Sequence, residues 1–171
     1  MKKIILFCVI LLCFQVSYAQ EVEKVRMLSD KVFFGGSFGL QLGTVTLVDV
    51  SPFVGYRVTP RFNLGLGANY MYYSNSFYDY KTNVYGGSAF AQFFPLEMIY
   101  LHTELENLST EYYDTQYNLT REWVQGAFAG VGYMQRFGKR GGMYLHVLYN
   151  FNYTWKSPYN SEWVIETGFI F

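Results

Sequence analysis

The chain has 171 residues, 51% of them hydrophobic and only 15% charged, with 17 Tyr and 16 Phe against 4 Pro. That length holds one domain, and the wealth of aromatics with so little charge excludes a disordered chain. Basic and acidic residues balance at 13 each, so no positive field exists to gather nucleic acid along a surface.

Met1-Lys2-Lys3, the apolar run Ile4 to Val16, and the small residues Ser17 and Ala19 match a secretory signal peptide over residues 1–19. An uncleaved anchor would need about 20 apolar residues. Both cysteines, Cys8 and Cys13, lie in this segment. The processed chain is therefore expected to carry no disulfide, no thiol nucleophile and no Cys-ligated zinc. Loss of Lys2 and Lys3 leaves 11 basic against 13 acidic residues, a net charge of about -2. Residues 20–30 follow as a short periplasmic arm, with a short helix as an alternative form.

From Lys31 onward the pattern alternates with period two, which marks strands with two unlike faces. Phe34, Gly36, Phe38, Leu40 and Leu42 oppose Phe33, Gly35, Ser37, Gly39 and Gln41. Later, Phe62, Leu64, Leu66, Ala68, Tyr70 and Tyr72 oppose Asn63, Gly65, Gly67, Asn69, Met71 and Tyr73. Turn signals cut the chain into eight such stretches, near 31–42, 46–58, 61–73, 83–94, 97–108, 121–136, 142–154 and 161–171. Tight connections at Thr59-Pro60, Pro95-Leu96 and Gly138 to Gly141 alternate with longer ones at 74–82, 109–120 and 155–160. The short connection near Gly43 departs from that alternation. Short turns at one end and longer loops at the other predict an all-β fold, an eight-stranded antiparallel up-and-down transmembrane β-barrel over residues 31–171.

A soluble eight-stranded barrel turns its apolar face inward, and a membrane barrel inverts this. Eight strands leave a bore only wide enough for side chains, so small and polar residues are expected inside and bulky apolar ones toward lipid. The aromatics fall into two bands. Trp123, Trp155 and Trp163 sit where strands meet the longer loops, and Tyr56, Phe62, Phe93, Phe137 and Phe171 sit at the other rim, as the headgroup preference of amphipathic rings requires.

The final stretch presents Trp163, Ile165, Thr167, Phe169 and Phe171 on one parity and ends on an aromatic. It resembles the C-terminal assembly signal of Gram-negative outer-membrane barrels. Together with Ser51 to Tyr56 and Val147 to Phe151, the chain resembles the small porin-like outer-membrane β-barrel family, of the OmpA and OmpX size class. The resemblance spans residues 31–171. It implies an outer-membrane location, the barrel assembly machinery and the lipid bilayer as partners, and a monomer. For activity it implies little, since such barrels serve as anchors, adhesins, binding proteins and occasionally enzymes.

His102, Glu104 and Glu106 share one face, opposite Ile99, Leu101, Thr103 and Leu105, and the same parity sends Glu166, His146, Arg136 and Arg57 into the lumen. A metal site or a general acid and base is one reading. A polar ladder that stiffens the barrel is the plainer and preferred one, because buried carboxylates need partners. The outer half of the lumen then holds more acids than bases, an imbalance that a bound cation or a retained proton would offset. No catalytic motif, metal-ligand spacing or cofactor fingerprint is expected here. The glycine runs Gly35-Gly36 and Gly86-Gly87 are read as easing curvature or interior crowding. Phe77, Tyr78 and Tyr80, with Tyr112, Tyr113 and Tyr117, make tyrosine-rich loops suited to an extracellular binding surface, or rings that shield strands continuing past the membrane. The sequence thus predicts a structural or surface-interaction barrel, with a narrow porin-like conduit as the alternative and an envelope enzyme or soluble ligand carrier behind it.

Overall fold

A computed structural model describes residues 31–41, 43, 45–75, 77, 80–113, 118–137 and 141–171. The leader and the arm lie outside the described residues. Eight strands follow in chain order: β1 (Val32–Gln41), β2 (Val45–Thr59), β3 (Phe62–Asn75), β4 (Tyr80–Phe93), β5 (Ile99–Tyr113), β6 (Leu119–Phe137), β7 (Gly141–Asn150) and β8 (Trp163–Ile170). Each pairs antiparallel with its sequence neighbour, and β1 also pairs with β8, so the sheet closes into an up-and-down barrel. The described residues contain no helix.

Local chemistry sets the interruptions. Gly43 turns the β1–β2 connection at φ 146°, a region that favours glycine. The β2–β3 ladder runs through Val50↔Tyr70 and resumes at Phe53↔Gly67. Between them stands Pro52, which has no N–H to donate. The β1–β8 seam is short: Gly35, Gly36 and Ser37 face Ile170, Phe169 and Gly168. Phe34 and Phe171 extend it by exchanging backbone bonds of 3.2 and 2.7 Å.

The outward set is apolar along every strand. Phe34, Phe38, Leu64, Leu66, Leu101, Leu105, Val131, Leu145, Ile165 and Phe169 are all exposed, Ile165 to 71%. Ring pairs mark the long-loop rim, with Tyr149 against Trp163 at 5.1 Å and Tyr85 against Trp123 at 6.3 Å. Phe93, Phe137 and Phe171 stand exposed at the opposite rim. From Trp163 to Phe171, at about 3.3 Å per residue and a tilt of about 40°, the strand covers about 20 Å of the barrel axis.

The interior departs from the expectation of small and polar residues. Phe33, Phe53, Phe94, Tyr100, Met134, Tyr144 and Ile170 pack into an apolar layer inside the barrel. Phe53 is its hub, with ring centroids 6.2 Å from Phe33, 5.3 Å from Phe90 and 5.9 Å from Tyr144. Space for these rings comes from glycine on an adjacent strand. A Cβ placed on Gly55 would strike Phe33, one on Gly65 would strike Phe90, and one on Gly132 would strike Tyr100. Each ring thus lies against a bare stretch of wall.

Two boundaries also differ. Most of the polar segment 109–120 is strand, since Ser109↔Trp123 through Tyr113↔Leu119 extend the β5–β6 ladder. β7 stops at Asn150 rather than 154, because the Asn150 side chain turns back on the backbone. Its Oδ1 accepts from the Ala127 N–H at 3.3 Å and from the Asn152 N–H at 3.0 Å. The strand cannot continue along β6, and residues 151–162 leave the wall.

Gly132→Ala should therefore overpack the Tyr100 ring and lower stability by about 1–3 kcal/mol in urea unfolding. Gly141→Ala, whose Cβ would meet nothing nearer than 3.6 Å, should leave the midpoint unchanged.

Candidate functional site

Inward parity on β5, β7 and β8 brings His102, Glu104, Glu106, His146 and Glu166 into one lumenal network. His102 sits 2.9 Å from the Glu104 carboxylate, and His146 sits 3.0 Å from that of Glu166. The two imidazoles face each other at 4.7 Å between centroids, so the two His–Glu pairs form one cluster. Phe90 stacks on His102 at 5.6 Å. Gln92 reaches His102 Nδ1 at 3.4 Å and accepts from the Asn63 amide at 3.3 Å, while Tyr144 donates to Glu166 at 3.1 Å. No buried side-chain polar atom among the described residues lacks a partner, as the cost of an unpaired group in a dry lumen requires.

Arg57 and Arg136 stand elsewhere. Arg57 is two residues before the end of β2, its guanidinium 5.0 Å above the Phe33 ring. Arg136 is next to last in β6, opposite Gly142. Glu104, Glu106 and Glu166 meet imidazole, phenol and amide groups. Among the described residues no group of three His, Cys, Asp or Glu is arranged to hold a metal ion.

Glu106 is partnered from an unforeseen direction. Asn69 donates to it across the bore, and Tyr159, from the β7–β8 loop, donates to it with 3.0 Å to each oxygen. The Tyr159 ring meets Phe128 edge-on at 5.6 Å. A small cavity beside it is lined by Asp49, Ser51, Asn69, Met71, Val84 and Leu108. Loop 151–162 thus folds across the barrel mouth and inserts one side chain.

Its other ties lie near the rim. Thr110 Oγ1 donates to the Lys156 carbonyl at 3.2 Å, and Asn152 donates to the Gln125 carbonyl at 3.0 Å. Lys156 pairs with Glu122 at 2.5 Å and lies 4.7 Å above the Tyr112 ring. Its hydrogen bond to Glu122 holds the ammonium above the ordinary lysine pKa.

The loop tyrosines divide. Phe77 is 77% exposed, and Tyr112 lies in β5 against Trp155 at 5.0 Å. Tyr78 and Tyr117 lie outside the described residues, and Tyr80 and Tyr113 begin β4 and end β5. Trp163, Ile165, Thr167, Phe169 and Phe171 all face outward at the end of the chain. Tyr159 was absent from the sequence reading. Its signal was a single ring in the polar run Lys156-Ser157-Pro158-Tyr159-Asn160, which nothing local aims inward.

Comparison of the folded chain adds one observation. It superposes on the N-terminal β-barrel domain of Pseudomonas aeruginosa OprF with a TM-score of 0.50 at 15% identity, covering 82% of this chain and 95% of that one. The two share the closed antiparallel β-barrel fold. No family model matches the chain, and no curated protein matches it.

His102→Phe keeps a ring against Phe90 but strips Glu104 and Gln92 of their partner. Urea unfolding should show a loss of about 3 kcal/mol, the usual result of leaving one member of a buried pair alone.

Proposed function

We propose that this protein is an integral barrel of a Gram-negative outer membrane, carrying no enzymatic activity and acting outside the cell through its long-loop end. The outward face carries this reading. A continuous belt of exposed Phe, Leu, Val and Ile between two aromatic rims fits a bilayer and would aggregate in water. The OprF likeness supports the architecture.

On this reading residues 1–19 direct export and are removed, and the outward Trp163 to Phe171 face is offered to the barrel assembly machinery. The histidines serve as scaffold, since each is already engaged with a carboxylate. The Phe53-centred layer packed inside the barrel argues against a conduit. Exposed Phe77 and the Tyr112–Trp155 pair supply rigid contact area at the mouth, where rings lose little rotamer freedom on binding.

Membrane fractionation with gel migration before and after boiling tests the location. The protein should pellet with outer membranes and shift on heating, whereas solubility without detergent would refute the assignment. Leu66→Arg, in the middle of the outward belt, should lower folding stability in a bilayer by about 2–4 kcal/mol. Planar bilayers holding the purified protein should show no conductance steps.

A further inference from the structure

The lumen has two storeys of opposite character. The Phe53-centred layer packs one with rings, and the other lies toward the long loops. Strand residues do not fill that second storey completely. Its deepest long-loop-side volume is taken by Tyr159, a residue of neither wall. The compartment around this phenol has a carboxylate at its end (Glu106), an aromatic edge at its side (Phe128) and apolar walls (Val84, Leu108, Met71), with a residual cavity bordered by Asp49, Ser51 and Asn69. A few precisely placed polar groups in an otherwise apolar recess make up the composition of a small-molecule site.

Tyr159 also differs from the wall rings in how it is held. Phe33, Phe90 and Tyr100 belong to laddered strands, each seated over a glycine. Tyr159 hangs on a twelve-residue excursion, 151–162, whose backbone joins the sheet at its ends through Phe151 to Ala127 and Asn150 to Glu162. Its other ties to the wall, Thr110 to Lys156, Asn152 to Gln125, Trp155 against the Tyr112 ring and Lys156 to Glu122, lie near the rim and pair no strand. An exposed ion pair such as the last contributes little. The loop can lift without breaking the barrel.

We propose that the Tyr159 compartment is a binding site for a small aromatic ligand carrying a hydrogen-bond donor, and that Tyr159 occupies it as a displaceable internal mimic when no ligand is present. Glu106 receives the donor and Phe128 meets the ring edge-on, while the residual cavity beside them is no larger than a water molecule. Because the donor faces a carboxylate with Glu104 on the same strand face, an aromatic ammonium is preferred over a phenol, and an acceptor-only anion such as benzoate is excluded. The proposal rests on the barrel reading above only for the side from which ligand arrives. Binding by the purified protein in micelles does not depend on which membrane the barrel occupies, so the two can fail separately.

The probes are p-cresol, which is the tyrosine side chain alone, benzylammonium and benzoate, titrated calorimetrically into wild type, Tyr159→Ala and Tyr159→Phe, each first shown to be folded by heat-modifiable migration. A closed loop reduces apparent affinity by the fraction of molecules that are open. Tyr159→Ala should therefore bind benzylammonium and p-cresol at least tenfold more tightly than wild type, with saturable binding still measurable in wild type. Tyr159→Phe, which keeps the ring and loses the donor, should fall between them. Glu106→Gln should abolish the preference for benzylammonium over p-cresol. In wild type, p-cresol, which carries no cation to compete for the protease, should also speed trypsin cleavage after Lys156, because filling the compartment lifts the loop. Absence of binding to Tyr159→Ala overturns the proposal. So does binding to Tyr159→Ala alone, with wild type neither saturable nor more readily cleaved, since the space would then exist only through truncation. Equal binding of benzoate would refute the role given to Glu106.

Discussion

Everything inside this barrel answers to the width of its bore. Closing eight strands fixes a diameter that side chains alone can fill, so each inward residue competes with those opposite it for the same volume. The chain meets that constraint by pairing each large ring with a bare position on the adjoining strand: Phe33 with Gly55, Phe90 with Gly65, Tyr100 with Gly132. Ring and glycine act as one unit, which is why neither can be exchanged alone. Above the ring layer the same width brings His102 and His146 within van der Waals reach and lets Asn69 on β3 meet Glu106 on β5.

The polar storey follows from the apolar one. Once the rings shut out water from one end, a carboxylate in the bore must find a neutralising or hydrogen-bonding neighbour among lumenal residues. Histidine is suited to this, since its two nitrogens can serve two partners at once. His102 meets Glu104 and Gln92, and His146 meets Glu166 and Tyr100. Tyr159 extends the rule to a group supplied by a loop.

The outward face was legible in the sequence because it depends on parity alone. Phe34, Leu66, Leu105 and Ile165 could be assigned to the exterior without knowing what lay beside them, and eight strands followed from the turn signals. His102, Glu104, Glu106, His146 and Glu166 reached a common lumen by the same count. The aromatic interior was not legible. Phe33, Phe53 and Phe90 share parity with small and polar residues, and what admits them is a glycine on a strand partner, a relation visible only once cross-strand register is known. The stop at Asn150 was hidden for a similar reason. Its side chain ends β7 by bonding Ala127, 23 residues earlier in the chain, and no local signal carries that contact.

The brief seam between β1 and β8 bears on how the molecule comes to exist. Seven of the eight strand pairings join sequence neighbours, and each can form as a hairpin, the β7–β8 pair across the twelve residues 151–162. The eighth joins Gly35–Ser37 to Gly168–Ile170, so its ends must be gathered across nearly the whole domain. The entropic cost of that gathering rises only as the logarithm of the length spanned, yet few rungs offset it. Until that seam forms, Phe34 and Phe171 are the unjoined margins of an open sheet. The rate at which those margins meet governs how long an adhesive edge is exposed before the barrel has none.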